Sequence, residues 1–193
     1  MTTTTIILMI VLAMIVLAVI GAVIYLQTRK QQSQRLRDKF GPEYDRSREH
    51  ADGRREAEAE LRRREQRQRK LELRTLEPGR QREFEQRWAE VQREFVDNPS
   101  RAVHNADQLV IDVMAARGYP VDDFDQRADD LSVQYPVVTG HYREARRIVR
   151  AHEQDAAGTE ELRRALTAYR SLVDALLHDT GGHDQRTAKE SQT

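Results

Sequence analysis

Hydrophobic and polar positions divide the chain into three regimes. Ile6–Leu26 (IILMIVLAMIVLAVIGAVIYL) is twenty-one residues without a charge. As a helix it would be about 30 Å long, the hydrocarbon thickness of a bilayer. Residues 27–79 are polar throughout. From residue 80 onward, apolar residues recur at three- and four-residue spacing, the signature of helices that bury one face. The expected organisation is a transmembrane anchor (1–26), a basic polar stalk (27–79), a helical bundle (80–178) and a disordered tail (179–193).

In the bundle region, Phe84, Trp88, Val91 and Phe95 line one helical face. Asn98 and Pro99 then supply an N-cap and a first helical residue for the next helix. That helix carries Ala102, Val103, Ala106, Leu109, Val110, Val113 and Met114. Gly118 and Pro120 stop it. A short helix over Asp122–Ser132 buries Phe124, Ala128 and Leu131, and Tyr135-Pro136 breaks it. A helix over Val137–Glu153 presents Val138, Tyr142, Ala145, Ile148, Val149 and His152. Thr159 is the expected N-cap of the last helix, with Glu160 and Glu161 in its first turn and Leu162–Leu177 supplying the buried face. No useful length alternates at period two, so the predicted class is all-α, with four longer helices and one short one.

The stalk reads differently. Phe40-Gly41-Pro42 interrupts it, and Arg46–Leu76 is rich in helix formers. Leu61 and Leu71 are separated by polar residues only, so no coiled-coil seam survives three heptads. A charged single helix, or a loosely packed one, is the expectation. Pro78-Gly79 closes it.

Charge sharpens this division. The formal net charge is zero, with charged residues at 33%. Residues 29–70 nevertheless hold fifteen Lys/Arg against nine Asp/Glu, a net of +6. Residues 71–193 hold seventeen against twenty-three, a net of −6. Arg29, Lys30, Arg35, Arg37 and Lys39 follow the apolar run closely, whereas MTTTT before it has no basic residue. A cleaved signal peptide would carry its charge in front, have a shorter apolar run and end in an A-x-A-like site. The positive-inside rule places the C-terminal domain in the cytoplasm, on a single-pass protein of a bacterial inner membrane. The alternative is an extracytoplasmic or secreted domain. The juxtamembrane cations suit anionic lipid headgroups. Acidic residues interleaved along the stalk argue against nucleic acid, since they repel the phosphates that arginines attract. Ala18 and Ala22 form a small-xxx-small pair, a spacing common in such spans whether or not helices pair there.

Candidate chemistry is sparse. The chain has no Cys, which excludes disulfides, thiolate metal sites and a cysteine nucleophile. Asp122, Asp123, Asp125, Asp129 and Asp130 resemble a calcium loop only in composition: Arg127 occupies a ligand position, and the turn Gly and closing Glu are missing. His141 and His152 share a helical face but stand about 16 Å apart, too far to share a metal. His178 and His183 flank Gly181-Gly182 in the tail, and His104 has no triad partner nearby in sequence. The zincin, phosphate-loop, GxGxxG and GxSxG motifs are absent. No cofactor and no metal is expected, and the chain does not read as an enzyme. Trp88 reads as core. Tyr119, in the Arg117-Gly118-Tyr119-Pro120 turn, either packs behind the helix cap or contacts a partner.

The apolar N-terminal span, FGPEYDR (Phe40–Arg46), LELRTLEP (Leu71–Pro78), FVDNPSRAV (Phe95–Val103), ADQLVIDVMAARGYP (Ala106–Pro120) and YREAR (Tyr142–Arg146) together resemble a group of bacterial membrane or secreted proteins of no established function. The resemblance covers most of the chain, and FGPEYDR and RGYP are its most specific marks. It implies a bacterial source, actinobacterial by the Arg-rich composition, and carries no catalytic residue.

The expected function is a membrane-anchored, non-catalytic helical module that binds another protein or a second copy of itself. The alternatives are a stalk that binds anionic lipid or nucleic acid through residues such as Arg54, Arg55, Arg62, Arg63, Arg64, Arg67, Arg69 and Lys70, and a membrane-tethered enzyme with an unrecognised site. The charge flanks predict that a reporter fused after Thr193 is active in the cytoplasm. Activity of the fusion only outside the cytoplasm would reverse the orientation.

Overall fold

The computed structural model describes residues 3–154 and 156–179. Among the described residues, every regular element is an α-helix. They are α1 (Thr3–Phe40), α2 (Pro42–His50), α3 (Arg54–Gln68), α4 (Pro78–Asp97), α5 (Pro99–Ala116), α6 (Phe124–Ser132), α7 (Pro136–Glu153) and α8 (Thr159–His178). The tail expected to be disordered lies outside the described residues beyond Asp179. The chain parts into two compact units, one ending at Lys39 and the other beginning at Phe40.

The first unit is α1, helical from Thr3 onward without interruption. Met14, Ile15, Val16 and Leu17 are all exposed, as are Leu12, Val19 and Ile20. Successive helical residues point about 100° apart, so four in a row cover almost the whole circumference. Among the described residues, no helix is long and apolar enough to cross a membrane. Most side chains of the Ile6–Leu26 run, including those of Ile6 and Leu26, lie outside the described residues.

The second unit is built on α4, α5, α7 and α8. Helix α8 packs on both α5 and α7, α4 packs on α5, and α6 packs on α7. The core runs continuously through Phe84, Trp88, Val91, Phe95, Leu109, Val110, Val113, Met114, Leu131, Tyr142, Ile148, Tyr169, Leu172 and Leu176. These four longer helices and one short one lie where the apolar periodicity predicts them. The Asn98 cap is also as expected: its Oδ1 accepts a hydrogen bond from the Arg101 N–H at 3.0 Å. Asp123 caps α6 by accepting from the Gln126 N–H at 2.8 Å. The N-cap of α8 is Gly158 rather than Thr159. Having no side chain, Gly158 contributes its own N–H instead, donated to the Glu161 carboxylate at 3.2 Å.

The expected stalk divides. Residues 27–39 belong to α1, while the polar stretch from Phe40 onward belongs to the second unit. Gly41 adopts φ +47 and ends α1. A second break at Ala51–Gly53 separates α2 from α3, which pack on each other. Phe40, Tyr44, Ala57 and Leu61 are buried. The seam that is missing from any single long helix is therefore assembled from two short ones. After α3, residues 72–77 have no regular structure, but Leu71, Leu73 and Leu76 pack against the core.

Gly118 shows how closely this extended segment is held. Its φ is +87, and a Cβ there would lie 2.7 Å from the Glu72 carbonyl oxygen. The Arg74 N–H, in turn, donates to the Arg117 carbonyl at 2.9 Å. Gly118→Ala combines a left-handed backbone with a clash against backbone that cannot move aside, and should cost about 2 kcal/mol or more. Gly79→Ala, in the first turn of α4 with open space around it, should be neutral or stabilise by up to about 1 kcal/mol. Denaturant midpoints of the two variants measure the contrast.

Candidate functional site: a charged seam across four helices

The seam begins at Glu43, in the first turn of α2 and only 1% exposed. Arg143 of α7 approaches it with two nitrogens, Nε to Oε1 at 3.3 Å and Nη2 to Oε2 at 3.4 Å. Arg64 of α3 lies 3.6 Å from the same carboxylate and 3.0 Å from Asp129 of α6. Arg143 also reaches Asp129 at 2.8 Å. Arg67 stands 3.6 Å from Asp130 and 3.8 Å from Asp129. Glu60 completes the seam at 3.4 Å from Arg64. Burial pushes the Glu60 carboxyl up, but hydrogen bonds from Arg63 and Arg64 outweigh it and hold the pKa below the usual value.

Two further contacts across the seam are polar as well. Arg64 donates to Ser132 Oγ at 3.5 Å and Gln68 to Gln134 at 3.4 Å. Each carboxylate faces arginine, so none is placed as a free general base. What the arrangement does is hold helices by charge. The calcium-loop resemblance of Asp122–Asp130 dissolves here: Asp123 caps a helix while Asp129 and Asp130 take arginines. Among the described residues, no three acidic or histidine side chains group to hold a metal.

A second cluster closes the end of the bundle. Arg117 is 1% exposed. It donates to the Leu176 carbonyl at 2.6 Å and to Asp179 at 2.8 Å, so it caps the last turn of α8. Asp179 also accepts from Gln134 at 2.6 Å and from the Tyr135 hydroxyl. Tyr119 is buried, and its hydroxyl donates to Gln134 at 3.2 Å. Of the two readings the sequence left open for Tyr119, packing is what the described residues display. A third cluster lies inside the bundle, where Arg146 approaches Asp107 at 3.4 Å and Arg127 donates to the Tyr142 hydroxyl at 3.3 Å. Asp107 Oδ1, Arg146 Nε and the Tyr169 hydroxyl are buried there without a hydrogen-bond partner.

One pair was invisible to sequence reasoning because fifty-two residues separate its members. Ser100 Oγ lies 2.7 Å from His152 Nε2, and His152 Nδ1 lies 2.7 Å from the Ala157 carbonyl. A carbonyl only accepts, so Nδ1 carries a proton, and in the neutral imidazole Nε2 accepts from the serine. This resembles an activated nucleophile. However, a backbone carbonyl replaces the orienting carboxylate, and neither residue lines the groove of about 590 Å³ between α4 and α5. The pair ties the start of α5 to the end of α7. That groove, lined by residues such as Arg87, Glu94, Arg101 and Asn105, is crossed by its own ion pairs, Arg87–Asp112 at 2.6 Å and Arg101–Glu94.

Of the juxtamembrane cations, Arg35, Arg37 and Lys39 are exposed, with Arg37 and Lys39 in the last turn of α1. The side chains of Arg29 and Lys30 lie outside the described residues. The chain matches no family model, no curated protein and no solved structure.

Four tyrosines carry the clearest electrostatic signature. Burial pushes Tyr119 and Tyr142 up to about 12. It also raises Tyr135 and Tyr169, with the neighbouring Asp179 and Asp107 carboxylates adding to the effect. In the unfolded chain these hydroxyls ionise near 10, while in the fold they stay neutral. The stability they contribute is therefore present below pH 10 and lost as the pH climbs toward 12. Tyrosinate absorbance from these four should stay silent at pH 10.5 and then appear together with loss of helical circular dichroism. Their ionisation ahead of unfolding would contradict this burial.

Proposed function

We propose that this chain is a single-pass membrane protein whose uncharged N-terminal run anchors a non-catalytic helical interaction module beside the bilayer. The observation that carries this reading is the exposure of Met14, Ile15, Val16 and Leu17 around the whole circumference of α1. A helix whose described apolar side chains are exposed on every side suits an apolar surrounding. The exposed Arg35, Arg37 and Lys39 further along α1 suit anionic headgroups at the cytoplasmic face.

For the module itself, support comes from how its charged groups are used. The carboxylates of the seam face arginines, and neither Ser100 nor His152 lines the α4–α5 groove. Several arginines of the alternative reading, a basic stalk that binds anionic lipid or nucleic acid, face carboxylates of the chain, while Arg55, Arg69 and Lys70 are exposed. Arg62 lies 3.4 Å from Glu58, Arg63 lies 2.9 Å from Glu60, and Arg64 and Arg67 face Asp129 and Asp130. The partner in this reading is another protein or a second copy of the chain.

Native membranes provide the test. The protein should resist extraction by alkaline carbonate, and its intact mass should include residues 1–26. Crosslinks to a partner or to a second copy should fall within 80–178. A mature mass lacking the N-terminal run removes the anchor, and crosslinks confined to lipid or nucleic acid remove the interaction module.

A further inference from the structure

Among the described residues, the apolar core cluster of the second unit includes none from α2 or α3. It starts at Leu71, and the buried Phe40, Tyr44, Ala57 and Leu61 stand outside it. The hairpin has internal bonds of its own. Tyr44 donates to Glu58 at 3.1 Å, and Glu58 also takes Arg54 at 2.9 Å. Toward the bundle, its directed contacts are ionic or polar: Glu43 to Arg143, Arg64 to Asp129 and Ser132, Arg67 to Asp130, and Gln68 to Gln134. Several of these are imperfect. The Arg67 Nε–Asp130 separation of 3.6 Å is too long for a hydrogen bond, and that Nε is buried without a partner. Buried charges held by incomplete geometry gain little over the water they gave up. Separation of the two surfaces rehydrates every one of them.

We propose that α2 and α3 form a detachable clasp, latched over α6 and α7 chiefly by the Glu43–Arg143–Arg64–Asp129 cluster, and that the clasp opens as a unit while α4–α8 stays folded. The extended segment at 71–77 is the fixed end of the hinge, because Leu71, Leu73 and Leu76 remain in the core and Gly118 closes on Glu72. Opening uncovers Asp129 and Asp130 of α6 together with Arg143 of α7. A closed clasp therefore withholds this charged face from any partner of the module. This inference concerns the second unit alone and is independent of whether α1 spans a membrane.

Hydrogen exchange on the full chain in detergent micelles reads clasp and bundle separately. Arg143→Ala leaves the buried Glu43 short of its bidentate partner, so exchange across 42–68 should rise by about tenfold or more, while α5 and α8 change little. Leu109→Ala should do the reverse, accelerating α5 and α8 and leaving 42–68 at its own rate. Glu43→Gln, which keeps the shape and removes the charge, repeats the first measurement should Arg143→Ala fail to fold. The proposal is overturned if the charge variants leave 42–68 unchanged, or if either substitution accelerates hairpin and bundle by the same factor.

Discussion

Glu43 has almost no contact with water, and a carboxylate so placed needs cations around it. Two arginines supply them, one from α3 and one from α7. That requirement fixes more than one side chain. It bears on where α2 lies on α7, which face α3 turns toward α6, and why Asp129 and Glu60 join the cluster: without them Arg64 and Arg143 would bring two positive charges to one negative. Placement of the hairpin therefore depends on charge neutrality at a buried point, whereas placement of α4, α5, α7 and α8 depends on apolar area.

That difference separates what was legible in the sequence from what was not. Apolar burial leaves a period, and Phe84, Trp88, Val91 and Phe95 announced α4 as clearly as Asn98-Pro99 announced the start of α5. Ion pairs leave no period. Arg143 is one hundred residues from Glu43, and nothing local to either marks it as the other's partner. Asp129 and Asp130 looked like surface acids or a failed metal loop for the same reason. The Ala51–Gly53 break was passed over because helix formers flank it, and with it went the chance to see Leu61 as buried. Ser100 and His152 met only through the packing of α5 against the rest of the bundle.

The segments that carried the resemblance find a common physical use. In FGPEYDR, Phe40 is buried, Gly41 takes the positive φ that ends α1, Pro42 opens α2, and Glu43 and Tyr44 make buried polar contacts. In RGYP, Arg117 caps α8, Gly118 admits the Glu72 carbonyl, and Tyr119 packs against Gln134. In YREAR, Tyr142 joins the core, Arg143 holds Glu43, and Arg146 approaches Asp107. Each motif is needed to bring separate helices together.

The same accounting changes the meaning of the charge asymmetry along the chain. A net-basic stretch of residues 29–70 suggested a surface for phosphates, and a net-acidic remainder suggested a separate domain. Part of the difference is neutralised between the two stretches, since Arg64 and Arg67 of the basic one face Asp129 and Asp130 of the acidic one. Arg35, Arg37 and Lys39 of α1 are exposed. In the proposed anchor these three would follow the apolar run, where cations suit an anionic lipid surface. The overall neutrality of the protein is thus less a property of its surface than a consequence of how its helices are held.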